Sequence, residues 1–274
     1  MRKFKENLYK VLLWVSAAVT VGVLVLILGF IFLKGYKLIN IDFITKNYSA
    51  SGDGGILPMI VSTLYTVFIS IIVATPIGIL AAIYMTEYAK QGKLIKIIRF
   101  ATESLSGIPS IVYGLFGSIF FVVALKLGYS LLAGSLTVAI IILPVIIRTT
   151  EEALKSVPPS YKEASLGLGA TRFQTLYKVI VPSAVPGILV GVILSVGRVV
   201  GESAAILLTA GTVAKMPKGI MSSSRTLTVH SYLVTSESGN IEQAAAVGIV
   251  LIVIILVLNI LAKLITKKFN KANY

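Results

Sequence analysis

The sequence predicts an all-α polytopic membrane protein with six transmembrane helices. Hydrophobic residues make up 56% of its 274 residues, charged residues only 13%, and the mean hydropathy is +0.93. A soluble domain usually carries about 25% charged residues. Uncharged runs of about the length that crosses a bilayer recur six times along the chain. They lie at 11–33, 54–86, 104–125, 127–147, 179–197 and 243–262. Because these runs are continuous rather than alternating, they favour helices over a β-barrel.

Each predicted element follows from one of these runs. The first begins after four basic residues and resembles a signal peptide, but its 23 residues exceed the 7–15 of a signal core, so we expect a retained helix. The fifth continues past Arg198 and Glu202, because residues 203–214 are again uncharged. The predicted spans are 11–33, 57–86, 103–126, 130–150, 182–209 and 243–265. The predicted connections are 1–10, 34–56, 87–102, 151–181, 210–242 and 266–274, and the transmembrane domain covers about 58–265.

The distribution of basic residues predicts the orientation. With the N-terminus inside, sixteen Lys and Arg residues fall on inner segments and seven on outer segments. Cytoplasmic loops carry the excess of positive charge in membrane proteins. We therefore expect both termini in the cytoplasm of a prokaryote, with 34–56 and 210–242 outside. This bias accounts for much of the net charge of +14 without a nucleic-acid partner.

The motifs of common enzymes are missing from the sequence. There is no phosphate-binding loop of the type that hydrolyses ATP, no H-E-x-x-H and no G-x-S-x-G. The chain has no cysteine and one histidine, His230, which we interpret as a solvated or packed residue of the long outer loop. The expectation is a non-catalytic chain without a metal or cofactor of its own.

The inner segment 151–181 contains the most informative pattern. Two prolines precede Ser160, and Glu163 follows three residues later, which predicts a capped helix from Tyr161 to about Leu168. Gly169 is expected to end that helix in the left-handed conformation. Residues 170–180 then lead into the fifth span. The pattern therefore predicts a short helix across the cytoplasmic face, joined to a spanning helix.

This segment resembles the EAA loop of the binding-protein-dependent ABC importer permeases. The triplet Glu163-Ala164-Ser165, Gly169 three residues after it, and a final Pro182 keep the family spacing, with serine in place of the third alanine. The resemblance implies a type I, MetI-like permease. It also implies that the short helix is a coupling helix, which docks in a groove of a cytoplasmic ATPase.

Further phrases are similar to the phosphate-uptake permeases, and most closely to their PstA family. They lie at 76–84, 107–117, 148–154 and 197–204, the last reading Gly-Arg-Val-Val-Gly-Glu-Ser-Ala. The resemblance implies inorganic phosphate as substrate and the cytoplasmic (inner) membrane, with its lipid, as location. The implied partners are a second, PstC-like permease, a PstB-like ATPase dimer that binds ATP-Mg, and an external PstS-like phosphate-binding protein. No cofactor is expected in this chain.

Charged residues within the spans point to a substrate path. Arg198 and Glu202 are four residues apart and would share one helix face. A charge at the bilayer centre costs about 2.5–3.5 kcal/mol on insertion scales, so it is expected in a protein-lined or wet interior. Arg198 suits a two-pronged contact with phosphate oxygens, and Arg148 offers a second cationic step. The alternative is a structural Arg–Glu pair that only orders helix packing.

Small residues and prolines predict the packing of the spans. Gly187 and Gly191, then Gly197 and Gly201, recur every four residues, a spacing that lets helices approach closely. Prolines inside other helices are expected to kink them. These are Pro76, Pro109 and Pro144.

Two alternatives to phosphate import stay open on the sequence. A permease for another oxyanion, such as sulfate or molybdate, would carry much the same EAA loop. An independent secondary transporter is the other class, although the chain shows no convincing internal repeat of the kind such transporters often have.

Overall fold

The fold is described by a computed structural model that covers residues 2–49, 54–90 and 92–272. Within these ranges the regular structure is helical throughout. The helices are α1 (Arg2–Gly35), α2 (Ile41–Thr45), α3 (Leu57–Ile83), α4 (Lys93–Ser106), α5 (Ser110–Gly117), α6 (Leu131–Lys155), α7 (Pro159–Gly167), α8 (Arg172–Thr175), α9 (Val181–Gly201), α10 (Ala204–Thr209), α11 (Leu227–Ser238) and α12 (Ile241–Ala272). π-helical turns extend α3 over Tyr84–Tyr88 and α5 over Ser118–Ala124, and join α8 to α9 over Leu176–Ile180. Parts of four predicted connections, namely residues 1, 50–53, 91 and 273–274, lie beyond the described residues.

Among the described residues, five helical segments are long and apolar enough to cross a membrane, and a bent pair would make a sixth if it formed one span. The five are Tyr9–Leu38, Leu57–Tyr88, Leu131–Lys155, Arg172–Gly201 and Ile241–Leu264. The pair is α4 with the extended α5, which meet at 100°. The predicted all-α, polytopic architecture is confirmed.

The third predicted span requires correction. The interval 103–126 is not one helix, and the predicted cytoplasmic loop 87–102 is largely helical, because α4 runs from Lys93 to Ser106. Pro109 lies at the bend rather than inside a helix, with an extended ψ of 138° just before α5. Proline has no N–H to donate to a preceding turn, so it starts a helix more readily than it continues one.

The fifth predicted span is also interrupted. α9 ends at Gly201, and Glu202 adopts extended backbone angles (φ −77°, ψ 128°). The Glu202 carboxylate then accepts a hydrogen bond from the backbone N–H of Ala205, at 3.3 Å, in the first turn of α10. The predicted continuous helix 182–209 is therefore two helices, because a side chain within the run caps the second one.

The centre of the bundle is formed by α3, α6 and α9, with α10 and α11 closing the end away from α7. α6 is the most enclosed span, since two thirds of its apolar window is buried. Buried hydroxyls in this core donate to carbonyls one turn earlier, as Thr137 does to Ala133 (2.8 Å). α1 lies at the edge and contacts α12. There, a Cβ on Gly35 would come within 2.5 Å of the Ala246 nitrogen.

The two connections predicted to lie outside are more ordered than the sequence predicts. The predicted loop 210–242 contains α11, which Thr226 caps and which Gly239 ends at a φ of +62°. The predicted loop 34–56 contains α2, whose first turn is capped by Asn40. Each helix begins after an N-cap residue, Asn40 for α2 and Thr226 for α11. Such helix-start signals are hard to recognise where the whole loop is polar.

Candidate translocation path and cytoplasmic docking surface

Arg198 lies in the last turn of α9 and its side chain is exposed. α9 begins near the short helices α7 and α8, so Arg198 is about 25 Å along the helix from that end. It lies within electrostatic range of Tyr113, a buried residue of α5 whose hydroxyl donates to the Leu105 carbonyl at 2.7 Å. The guanidinium of Arg198 therefore lies beside the bent pair α4–α5. Among the described residues it forms no ion pair with an acidic side chain.

The predicted pairing of Arg198 with Glu202 is corrected by the break after Gly201. Glu202 is 8% exposed and faces the first turn of α10, where it accepts the Ala205 N–H. The two residues do not share a helix face, because the backbone leaves the helix between them. Arg198 is therefore free to contact a ligand without first breaking a salt bridge to Glu202.

Arg148 lies far from this place, at the other end of the bundle. It sits near the C-terminal end of α6 and pairs with Glu152 one turn later at 3.2 Å. Both side chains are about two-thirds exposed, so this pair adds little stability. The structure does not bring Arg148 together with Arg198 and Glu202 into one site.

Arg148 instead lines a cavity of about 160 Å³ between α4 and α6. Glu151, 8% exposed, lines the same cavity. Its carboxylate binds Arg99 of α4 and Lys155, each at 2.7 Å. Sequence reasoning missed Arg99 and Glu151. The available signal was the i,i+4 pair of Glu151 and Lys155 at the start of the predicted inner segment 151–181.

The predicted coupling helix is present as α7, with a different start. Pro158 stands at its N-cap and Pro159 in its first turn, and no side chain caps it. The predicted Ser160 cap is therefore wrong: the fixed φ of proline starts the helix instead. Gly169 follows α7 with a φ of +85°, in the left-handed region expected for it.

α7 presents an uncovered surface and is tied to the bundle by two side-chain contacts. Lys162 forms an ion pair with Glu87 at the inner end of the α3 segment, and the Ser165 hydroxyl lies 3.0 Å from that of Thr175. Glu163 and Ala164 are exposed. So are several larger side chains around them, namely Tyr161, Leu166, Leu168, Phe173 and Tyr177.

The link from α7 to the spanning helix is short and continuous. Thr171 and Gln174 form a reciprocal capping box that starts α8, a feature not anticipated from the sequence. From Arg172 the helical path runs without a break to Gly201, and Pro182 lies in the first turn of α9. An apolar cluster packs the junction against α6. Movement of α7 would therefore act directly on the helix that carries Arg198.

The four glycines of α9 fall into two classes. A Cβ on Gly187 would lie 2.6 Å from the Ala153 Cβ, and one on Gly191 would lie 1.9 Å from the Thr149 hydroxyl. These two allow α6 and α9 to approach. Gly197 and Gly201 have no atom of the described chain within 4 Å of such a Cβ. Any close packing through them would involve another molecule.

A further buried polar group lies at the end of the bundle away from α7. His230 of α11 is fully buried, and its ring nitrogens have no hydrogen-bond partner among the described residues. Its ring meets Tyr48 edge-on at 5.6 Å, and the Arg225 guanidinium lies over the same Tyr48 ring at 4.6 Å. The expected loop histidine is thus a packed residue that holds the first outer connection against α11.

Comparison with known proteins identifies relatives along nearly the whole chain. Residues 74–271 match the family described as binding-protein-dependent transport system inner membrane component. The probable ABC transporter permease protein YqgI of Bacillus subtilis is 36% identical over 96% of this chain and 95% of its own length. The phosphate transport system permease protein PstA of Pasteurella multocida is 37% identical over 76% of this chain and 75% of its own length.

The fold is also found among solved transporters. A chain of the bacterial alginate ABC transporter, in complex with an alginate pentasaccharide-bound periplasmic protein, superimposes with a TM-score of 0.68. The match covers 97% of this chain and 98% of that one, at 16% identity. At this identity the similarity concerns the fold alone.

Proposed function

Because the chain belongs to the family of binding-protein-dependent transport system inner membrane components, as a multi-pass ABC transporter permease, we propose that it is the PstA-like permease of an ATP-driven importer of inorganic phosphate. Relatives named as PstA recur at about 30–37% identity, and the phrase 197–204 supports the same assignment. One observation carries the proposal: the side chain of Arg198 is exposed in a spanning helix. That helix continues without a break from the segment that follows α7.

Phosphate transport needs a cation in the path, and Arg198 provides one. An anion that leaves water loses its hydration, and a guanidinium can replace part of that shell through two parallel hydrogen bonds. Glu202 contributes to the proposed phosphate path by ending α9 rather than by pairing with Arg198. Arg148, at the far end of the bundle, offers a separate cationic step toward the cytoplasm.

The coupling part of the proposal rests on α7. Glu163, Ala164 and Ser165 would face the groove of an ATPase dimer, and Gly169 would let the chain turn back toward α8. The ATPase would bind ATP-Mg, and this chain would hydrolyse nothing. A PstC-like permease would complete the path, with Gly197 and Gly201 exposed for close contact. An external phosphate-binding protein would dock on 34–56 and 210–242, as the alginate transporter is complexed with a periplasmic protein.

Uptake by membrane vesicles that contain the full complex tests the substrate. We expect labelled phosphate to accumulate on addition of ATP and the binding protein, and to be lost when this chain is omitted. Labelled sulfate and molybdate serve as controls and should not accumulate. Accumulation of either control anion, without phosphate, would assign the chain to another oxyanion importer.

A further inference from the structure

α4 leaves one apolar side uncovered. Ile95 points into the bundle and is 2% exposed. On the neighbouring side Leu94, Ile97 and Leu105 are 66%, 62% and 39% exposed. Their positions, with Ala101 between, repeat every three to four residues and so form one stripe along the helix. The bundle of this chain therefore covers one face of α4 and leaves this stripe without a partner.

The direction of α4 places it across the bundle rather than along it. It meets the extended α5 at 100°, so a membrane-crossing α5 holds α4 close to the membrane plane. Arg99 fixes α4 at the inner end of α6 through Glu151, at 2.7 Å. This is the end of the molecule where the chain passes from α6 into α7.

The residues around α4 match the chemistry of a membrane surface. Tyr84 and Tyr88, 55% and 53% exposed, end the preceding α3 segment, and exposed tyrosines are typical of the headgroup level. Lys90, Lys93 and Lys96 follow, and all three are exposed. Lys96 lies on the opposite side of α4 from the apolar stripe, and the exposed Phe100 (71%) follows one turn after it. Lysines beside an exposed apolar helix face are typical of helices that lie in the interface.

We propose that α4 is an interfacial helix that binds the anionic cytoplasmic leaflet. Its apolar stripe, Leu94, Ile97 and Leu105, inserts among acyl chains, and Lys90, Lys93 and Lys96 contact phospholipid phosphates. Charge complementarity selects lipid as the occupant, because anionic lipids concentrate in the inner leaflet and attract lysines beside an apolar helix face. Through Arg99 and Glu151 the lipid contact braces the end of α6 that precedes α7. The proposal depends on the inner position of α4 and not on which anion is transported.

The depth of α4 is tested with one spin label. The chain has no cysteine, so Ile97→Cys is labelled in the assembled transporter, with cysteine-free partner subunits, in nanodiscs. We expect the label to be relaxed by oxygen, which partitions into lipid, and not by a water-soluble nickel chelate. Lys96→Cys is the matched control and should show the reverse. Access of the nickel chelate to position 97, or protection there from both reagents by a covering subunit, would overturn the proposal.

The lipid charge is tested with the same position. A bimane fluorophore on Ile97→Cys is compared in nanodiscs with brominated phosphatidylglycerol or brominated phosphatidylcholine at equal fractions. We expect several-fold stronger quenching by the anionic lipid, falling to an equal response when Lys93→Gln and Lys96→Gln are added. The control pair Lys215→Gln and Lys218→Gln, exposed on the outer segment, should leave the preference unchanged. Equal quenching by both lipids in the unaltered lysine background would refute the anionic contact.

Discussion

At the scale of single residues, the environment of each charged group decides its role more than its spacing does. Arg198 and Glu202 are four positions apart, yet the carboxylate caps α10 and the guanidinium remains exposed. Glu151, which was predicted to lie just after the fourth span, is part of α6 and binds two cations. Spacing along the chain identified candidates, and the backbone break between two of them separated their functions.

Substitution of Arg198 separates a transport role from a structural one. Arg198→Lys keeps the charge but loses the two-pronged geometry, so phosphate uptake should fall mildly to moderately. Arg198→Gln should reduce uptake by more than about tenfold, since a hydrogen bond to a charged group contributes about 1.5–3 kcal/mol. Labelled phosphate uptake and co-purification of the partner subunits measure transport and assembly.

The double variant Arg198→Gln with Glu202→Gln provides the control. A glutamine at 202 can still accept the Ala205 N–H, so assembly should remain normal and transport should stay as poor as in Arg198→Gln alone. Recovery of uptake in the double variant would show that the two residues act as a structural pair after all.

His230 should make stability depend on pH. Burial, and secondarily the Arg225 charge, lower its pKa from 6.5 to about 4. Between those values the unfolded chain binds a proton that the folded chain does not, so stability is full above about pH 6.5 and falls as the pH decreases toward 4. The loss at pH 5 is about 2 kcal/mol.

Thermal unfolding of the purified complex at pH 7 and pH 5 measures this effect. The wild type should lose several degrees more on acidification than His230→Phe, which keeps a ring against Tyr48 but cannot be protonated. Parallel pH profiles of the two proteins would show that His230 is not the responsible group.

At the scale of elements, glycine positions determine where helices touch and where they end. Gly187 allows α9 to contact α6, and Gly169 allows α7 to turn toward α8. Gly187 is needed because a side chain there would collide with α6, and Gly169 because its backbone is in the left-handed conformation. Neither reason applies to Gly29 in α1 or to Gly167 in α7.

Gly187→Ala should destabilise the α6–α9 contact. The added Cβ would meet the Ala153 Cβ at 2.6 Å, and neither atom can rotate away. Overpacking of this kind costs about 1–3 kcal/mol. Thermal unfolding should show a lower midpoint for Gly187→Ala. Gly29→Ala in α1, where nothing lies within 4 Å, is the control and should equal or exceed the wild type. Equal midpoints for both variants would contradict the close approach.

Gly169→Ala should weaken coupling. An L-residue in the left-handed region costs about 1–2 kcal/mol, so α7 should lose its defined end. Uptake and co-purification of the ATPase subunit should both decrease. Gly167→Ala, inside α7 with open space around it, is the matched control and should behave as wild type. Normal ATPase association in Gly169→Ala would argue against a docking role for this turn.

At the scale of the whole molecule, orientation in the membrane links the charged ends to their partners. The excess of basic residues predicts that α7 lies inside and that the segment before α11 lies outside. Among the described residues, Ser160 in α7 and Lys218 before α11 are both exposed. Ser223, in the same segment, is half-buried and donates to the Ala210 carbonyl. A cysteine there would therefore report the side of the membrane less directly.

Single cysteines test the orientation without interference from native thiols. Lys218→Cys should react with an impermeant thiol reagent in intact cells, and Ser160→Cys only after the membrane is opened. A third position, Ser51, lies outside the described residues. Reaction at residue 160 in intact cells would invert the predicted topology.

The sequence alone determined the class of the fold and the place of the short helix α7. Both depend on local properties: uncharged runs long enough to cross hydrocarbon, and a motif whose spacing lies within one short segment. Tertiary structure decided the interruptions at 107–109 and 202–203, the burial of His230 and the order in the outer segment. These features have little local signal, because apolar composition is the same in a straight and a broken helix. They arise from contacts between distant residues, such as Arg99 with Glu151 and Tyr48 with His230, which hydropathy along the chain does not specify.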